Sequence, residues 1–390
     1  MQKSNALSPA LRHARWAIIV MFLINGWCNA HWVARIPDAK TKLGLSEGTL
    51  GFALFSAAVG ALIAQVLSGW LISKYGSRRV TLGFALFLCV AVALLGNLWS
   101  LPTMMLGLAL HGAGVGGMDV AMNVQATEVE RGYGKPIMTS FHGMWSVGSL
   151  LGAALGGLIA GVPLSINLHL PLVGIVSAGI VWFAARALIN DDNSPHEKSG
   201  ASFAFPKGAL IGMGVMAFCV LCAEGAVADW STLYMRDSLR LPPQSSTLAY
   251  ALFSGTMAVG RFVGDAITQK LGQANVLRGS GGLIVIGIIS VIASSAVIPV
   301  IFGFMLMGAG LCCVFPLILS MASRVPGISP GLAISAMATM GYTGFLVGPP
   351  TIGLLAEIFT LRWALSIIGL FGLLVIGLSW KAPNTELSKT

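Results

Sequence analysis

Charge is what this chain has least of. Acidic and basic residues together make up 9% of its 390 residues, where a soluble domain carries about 25%. That scarcity excludes an ordinary soluble protein, and with 56% hydrophobic residues and a mean hydropathy of +0.83 the chain reads as a polytopic membrane protein. Long polar stretches are scarce too, so no room remains between apolar runs for a soluble catalytic domain. No phosphate loop, metal-ligand cluster or nucleophile motif stands in a segment exposed to water; an enzyme is not expected, nor a catalytic residue, a metal or a cofactor. The six cysteines (Cys28, Cys89, Cys219, Cys222, Cys312, Cys313) all fall inside apolar runs, which argues against a disulfide framework. Cys219 and Cys222 form a CxxC without a companion His or second Cys pair and read as small packing residues.

What is present is a series of apolar runs. A hydrocarbon core about 30 Å thick needs about 20 helical residues, and twelve such stretches occur, near residues 15–36, 48–72, 80–99, 101–126, 137–161, 168–188, 208–232, 246–268, 279–299, 301–323, 331–356 and 361–380. Backbone in lipid must satisfy its own hydrogen bonds, so the expected fold class is all-α, with twelve transmembrane helices in two six-helix repeats. The longest polar interruption, Asn190 to Pro206, mixes Pro, Ser, Gly and charge as a linker does. The expected division is an amino-terminal bundle over 1–189, a linker over 190–206 and a carboxy-terminal bundle over 207–390.

The halves repeat each other. Thr49 to Ser56 (TLGFALFS) returns as Thr247 to Ser254 (TLAYALFS), six of eight residues identical at a spacing of 198. At a spacing of 196, Lys74 and Gly76 match Lys270 and Gly272, Gly112 and Gly114 match Gly308 and Gly310, and Gly148 and Gly152 match Gly344 and Gly348. So small a drift implies a shared topology. Membrane proteins built from repeats of this kind are commonly secondary transporters with the binding site between the repeats.

Lys and Arg in alternate loops divide sixteen to six, with Arg261 inside a span. The positive-inside bias puts both termini in the cytoplasm. It also accounts for the net charge of +9 without a nucleic-acid partner. The first span follows a basic segment but is long and lacks a small-residue cleavage site, so it is expected to be retained.

The loop after the second span, Gly69-Trp-Leu71-Ile-Ser73-Lys-Tyr-Gly76-Ser-Arg78-Arg79, resembles the G-x-L-a-D-r-x-G-r-r loop of the major facilitator superfamily, with Ser73 where the family usually has an acid. Four segments are similar to the fucose-permease-like and YbjJ-type bacterial branch: Gly117-x-Asp119-x-x-x-Asn123, His142-x-x-Trp145-x-x-Gly148-x-x-x-Gly152, Glu224-Gly225-x-x-x-Asp229-Trp230 and Gly341-Tyr-x-Gly344-x-x-x-Gly348-Pro349-Pro350. The resemblance implies a monomeric carrier of the bacterial cytoplasmic (inner) membrane. Its partners would be a small-molecule solute, protons and membrane lipids, with transport by alternating access as in a proton-coupled symporter. It also makes Gly69, Gly76, Arg78 and Arg79 gating residues. A competing resemblance, of Gly148-Ser-Leu-Leu-Gly152-Ala153-Ala-Leu-Gly156-Gly157 to the fifth span of drug/proton antiporters, implies export of lipophilic compounds. A transporter-like receptor that binds without transport is a third reading.

Ionisable groups inside a span cost about 2.5 to 3.5 kcal/mol at the helix centre and need a partner or a water-filled cavity. Asp119, with Asn123 on the same helical face, and Glu224 are the candidate proton-coupling residues, because a carboxylate removed from water can exchange a proton near neutral pH. For each, a buried acid that only locks helix packing is the competing reading. Asn25 and Asn29 in span one are expected to look toward Glu224 in its repeat partner, span seven. Trp27 and Trp145 lie away from span ends, beside Asn25 and Asn29 in one case and His142 in the other. An aromatic face with hydrogen-bonding neighbours suits a polar ring such as a sugar; plain core packing is the alternative. Candidate solute contacts are thus Asn25, Trp27, Asn29, Asn123, His142 and Trp145. Arg261 and Asp265, four apart in span eight, permit a local pair and read as gate structure. Asp229 and Glu357 read as interfacial. So do eight tryptophans: Trp16, Trp32, Trp70, Trp99, Trp182, Trp230, Trp363 and Trp380. Met213, Met216, Phe218, Met305, Met307 and Phe315 are expected to form an accommodating apolar wall, or to pack.

Overall fold

The computed structural model describes residues 8–135, 137–190 and 204–380. Most of the expected linker, and Lys3, Lys198, Lys381 and Lys389 of the charge count, lie outside the described residues. Six long helices precede the linker: α1 (Pro9–Leu43), α2 (Glu47–Tyr75), α3 (Ser77–Leu95), α4 (Leu101–Tyr133), α5 (Met138–Ala160) and α6 (Ile166–Ala187). Six follow it: α7 (Leu210–Ser238), α8 (Leu248–Leu271), α9 (Gln273–Ala293), α10 (Val297–Ala322), α11 (Pro330–Ile358) and α12 (Leu361–Ser379). Among the described residues there is no strand.

By length and composition, eleven helices are apolar enough to cross a membrane. The exception is α8, where Arg261 and Asp265 dilute the apolar run. Local sequence sets the ends. Ser46 accepts a hydrogen bond from Thr49 N at the start of α2, and Ser100 and Thr103 form a capping box at the start of α4. Gly44 closes α1 in the left-handed region.

The two halves use one packing scheme. In the first, α1 packs on α5, α2 on α4, and α3 on α4 and α6; in the second, α7 packs on α11, α8 on α10, and α9 on α10 and α12. The repeat extends to the backbone: Gly76, between α2 and α3, has φ 80° and ψ 152°, and Gly272, between α8 and α9, has φ 79° and ψ 152°. Only glycine adopts that conformation readily, which explains why both copies keep it. The halves meet along α2–α11 and along α5–α8, two junctions that the repeat interchanges.

Close backbone approach explains the glycine row in α5. A Cβ on Gly148 would strike the Leu23 carbonyl of α1, and one on Gly26 would strike the Trp145 carbonyl. The pattern that resembles the antiporter span is therefore a small-residue seam that lets α1 and α5 touch.

Six of the eight tryptophans placed at span ends are exposed, consistent with an interfacial belt, but Trp32 and Trp230 are buried. Both sit on the most enclosed helices, α1 and α7, where even the ends are covered by protein. Asp229, next to Trp230, is half-buried and not at a solvated edge, whereas Glu357 is exposed. Met213, Met216 and Met307 are core residues, not an open wall. Phe218 stacks edge-on with Phe371, and Phe315 lies against the Gly341 backbone.

Candidate functional site

Polar side chains meet where the halves join, around Arg261 of α8. Its guanidinium donates to Ser146 Oγ of α5 at 2.6 Å and to the His142 carbonyl at 3.4 Å, so one side chain hydrogen-bonds across the junction. On its own half it pairs with Glu224 of α7 at 3.4 Å, and it lies 5.9 Å from the centre of the Trp145 ring. A cation placed against an indole face is attracted by the ring quadrupole. Both charges are largely shielded, with 15% and 14% of their side chains exposed.

Trp145 carries the network into the first half. Its indole N–H donates to Asn25 Oδ1 at 2.9 Å, and Asn25 Nδ2 donates to the Val115 carbonyl of α4 at 3.2 Å. One turn along α1, Asn29 Oδ1 lies 3.4 Å from His111 Nε2. The Tyr250 hydroxyl of α8 lies beside Asn29, Ser149 and the Glu224 carboxylate.

A second cluster lies across the α2–α11 junction. Asn123 Nδ2 donates to Asp119 Oδ1 at 3.1 Å and to the Asp119 carbonyl at 2.8 Å. Tyr342 of α11 sits beside Gln65 of α2 and within the field of Asp119. The clusters are related by the repeat: adding 196 to Ser146 gives Tyr342, and to Gln65 gives Arg261.

The structure thus joins Asn25, Trp145, His142 and Glu224 around Arg261, with Asn29 beside Tyr250. Trp27 is not among them, because its ring meets His31 edge-on at 4.3 Å. Asn25 is buried with both ends of its amide in use, and the His142 ring packs edge-on against Phe22. Arg261 does not pair with Asp265; it turns across to Glu224 and Ser146, while Asp265 is exposed. The expected loop after the second span is helical on both sides of Gly76: near the end of α2 Ser73 Oγ donates to the Trp70 carbonyl at 2.8 Å, and in the first turn of α3 Arg78 donates to the Arg186 carbonyl at the end of α6 at 3.2 Å. Gly69 lies within α2 and Arg79 within α3.

Sequence reasoning missed Ser146, Tyr250, Gln65 and Tyr342. For Tyr250 a signal existed: it replaces Phe52 in the repeated octapeptide, a polar atom gained in one copy only. Also missed was a charged seal on the face that carries the α1–α2 turn, here the far face. Asp38 of α1 pairs with Arg35 at 2.6 Å and with Arg236 at the end of α7. Lys40 joins Glu47 at 2.7 Å and Asp237 at 2.9 Å. Arg35, Asp38, Lys40 and Glu47 belong to the first half, Arg236 and Asp237 to the second.

The family model of the Major Facilitator Superfamily matches residues 16–329 and 213–389. An uncharacterised MFS-type transporter of Yersinia pestis is 34% identical over 93% of this chain and 93% of its own length. The membrane protein MosC of Rhizobium meliloti is 32% identical over 94% of this chain and 90% of its own. Among solved structures, a nucleoside transporter NupG superposes with a TM-score of 0.77 at 11% identity, covering 95% of this chain and 99% of its own. A bacterial homologue of the human lysosomal transporter Spinster, in an inward-facing occupied conformation, gives 0.75 at 12%, covering 98% of each. At such identities these two show the fold alone. The chain is a multi-pass membrane protein of a transporter family, not an enzyme, and it belongs to the Major Facilitator Superfamily.

Proposed function

We propose that this chain is a proton-coupled secondary carrier of a small polar organic solute such as a sugar, with twelve spans in two bundles over 1–189 and 207–390. It would work as a monomer in the bacterial inner membrane, its terminal face cytoplasmic. The observation that carries the reading is the Arg261 bridge. A cation shared between an acid on its own half and acceptors on the other links the state of the acid to contact between the halves. Protonating Glu224 removes the charge that holds Arg261 in place. The guanidinium, already bonded to Ser146 and the His142 carbonyl, is then held by the first half or a solute alone, and its position in turn favours one arrangement of the halves. Asp119, bonded to Asn123 and within the field acting on Tyr342 across the other junction, would be a second coupling acid, through its own charge and without a bridging cation. With the far face sealed, the conformation would be inward-facing, and rocking about the α2–α11 and α5–α8 junctions would expose the same residues to the opposite side.

A solute screen by thermal shift tests the reading on purified protein, comparing neutral sugars and organic acids with lipophilic cations at two pH values. A ligand at 100 times its dissociation constant adds about 2.7 kcal/mol of stability. Stabilisation by a polar solute, lost in Arg261→Ala, is expected. Stabilisation by lipophilic cations alone would replace this reading with drug/proton antiport.

A further inference from the structure

Buried behind the far-face seal is a chain of three side chains whose hydrogen atoms can be assigned by elimination. Arg35 Nε–H donates to His169 Nδ1 at 2.8 Å, and His169 Nε2 lies 2.9 Å from His31 Nδ1. Arginine has donors only, so His169 Nδ1 must carry a lone pair. Neutral His169 then bears its hydrogen on Nε2 and donates it to His31 Nδ1. The hydrogen of His31 is left on Nε2, which is buried without a partner. The chain runs one way, from Arg35 through His169 to His31, and has no place for another proton. A proton on His169 Nδ1 would face the Arg35 N–H; one on His31 Nδ1 would face the His169 N–H.

The remaining donors of Arg35 hold the Leu164 carbonyl at 2.8 Å and Asp38 at 2.6 Å, and Asp38 is the group that receives Arg236 from the other half. The charged groups acting on the two rings are Arg35 and Asp38, both on α1. Beside His31, α5 contributes Gly156 and α1 contributes the Trp27 ring; α6 contributes His169 itself. An added proton therefore meets one cation and one anion, and the anion is already shared between two arginines.

We propose that the His31–His169 pair is a further proton site, distinct from Glu224 and Asp119, and that occupying it unlocks the far-face seal by drawing Asp38 away from Arg236. The sealed arrangement admits only the neutral pair, so the separated arrangement binds more protons and gains population as pH falls. A site that binds one proton with ordinary imidazole affinity when separated, and none when sealed, raises the ratio of separated to sealed protein about tenfold between pH 7.5 and 5.5.

Spin labels at Thr41→Cys and Ser238→Cys, exposed positions on the far ends of α1 and α7, read that ratio by double electron–electron resonance in nanodiscs. Cys313→Ser removes the native thiol that is not fully buried. The expected result is a rise on acidification in the otherwise wild-type protein that exceeds the rise in His31→Gln/His169→Gln by about tenfold, since glutamine can still accept from Arg35 but cannot titrate and only the coupling acids are left to respond. Glu224→Gln should keep the rise, which separates this proposal from the coupling role given to Glu224 above. Asp38→Asn should be largely separated already at pH 7.5. An absent acid response, one undiminished by the double substitution, or an Asp38→Asn protein as sealed as wild type at pH 7.5 would each overturn the proposal.

Discussion

Gly51→Ala should break the seal without touching a charge. Gly51 of α2 crosses Gly353 of α11 at the junction of the halves. A Cβ added to Gly51 would lie 2.6 Å from the Pro349 carbonyl oxygen and 3.2 Å from the Cα atoms of Pro350 and Gly353. These are backbone atoms, so no side-chain rotation relieves the overlap. Overpacking of this kind costs about 1 to 3 kcal/mol. The cost falls on the sealed arrangement, because the halves separate there in the alternative state. The ratio of separated to sealed protein should rise by about 5- to 150-fold, read with the Thr41 and Ser238 label pair. Gly83→Ala is the matched control, since a Cβ there meets nothing within 4 Å. An unchanged distance distribution in Gly51→Ala would refute the reasoning, as would an equal shift in Gly83→Ala.

Three further outcomes follow from single contacts. Gln125 is fully buried, donates to Ser77 Oγ at 2.7 Å and to the Ile189 carbonyl at 2.9 Å, and accepts from Ile189 N. Gln125→Leu takes these bonds from the Ile189 carbonyl and N–H and should lower unfolding stability by about 1 to 3 kcal/mol in a detergent melt; an unchanged melt contradicts this. Gly76→Ala and Gly272→Ala place a side chain at φ near 80° and should each cost about 1 to 3 kcal/mol in the same melt, equal effects being the mark of the repeat. Trp145→Phe removes the N–H that Asn25 accepts. Stability should fall by about 1 kcal/mol, and polar-solute stabilisation should weaken.

The helices were legible because burial in lipid leaves a direct mark on composition, and the repeat was legible in the TLGFALFS and TLAYALFS octapeptides. Partnerships between helices were harder to read. The i,i+4 spacing of Arg261 and Asp265 is a local signal, whereas the true partner, Glu224, stands on α7 and the acceptor Ser146 on α5. Trp27 and Trp145 look alike in sequence, but they project from different helices toward different neighbours, His31 and Asn25. Arg35 and Asp38 stand at the end of the first apolar run, where charge ordinarily meets water. Because α1 continues past them and is buried through Ala39, those charges are largely enclosed and pair. The repeat itself held the missing clue: placing Gln65 over Arg261 and Ser146 over Tyr342 identifies both polar junctions at once.

Gradient-driven accumulation in vesicles tests the central claim most directly, using the solute found by thermal shift and an imposed proton gradient. The account predicts accumulation by the wild-type protein that collapses when the gradient is dissipated and falls at least about tenfold in Glu224→Gln or Asp119→Asn, a factor equivalent to about 1.4 kcal/mol of coupling. Wild-type rates of accumulation in both variants would contradict it.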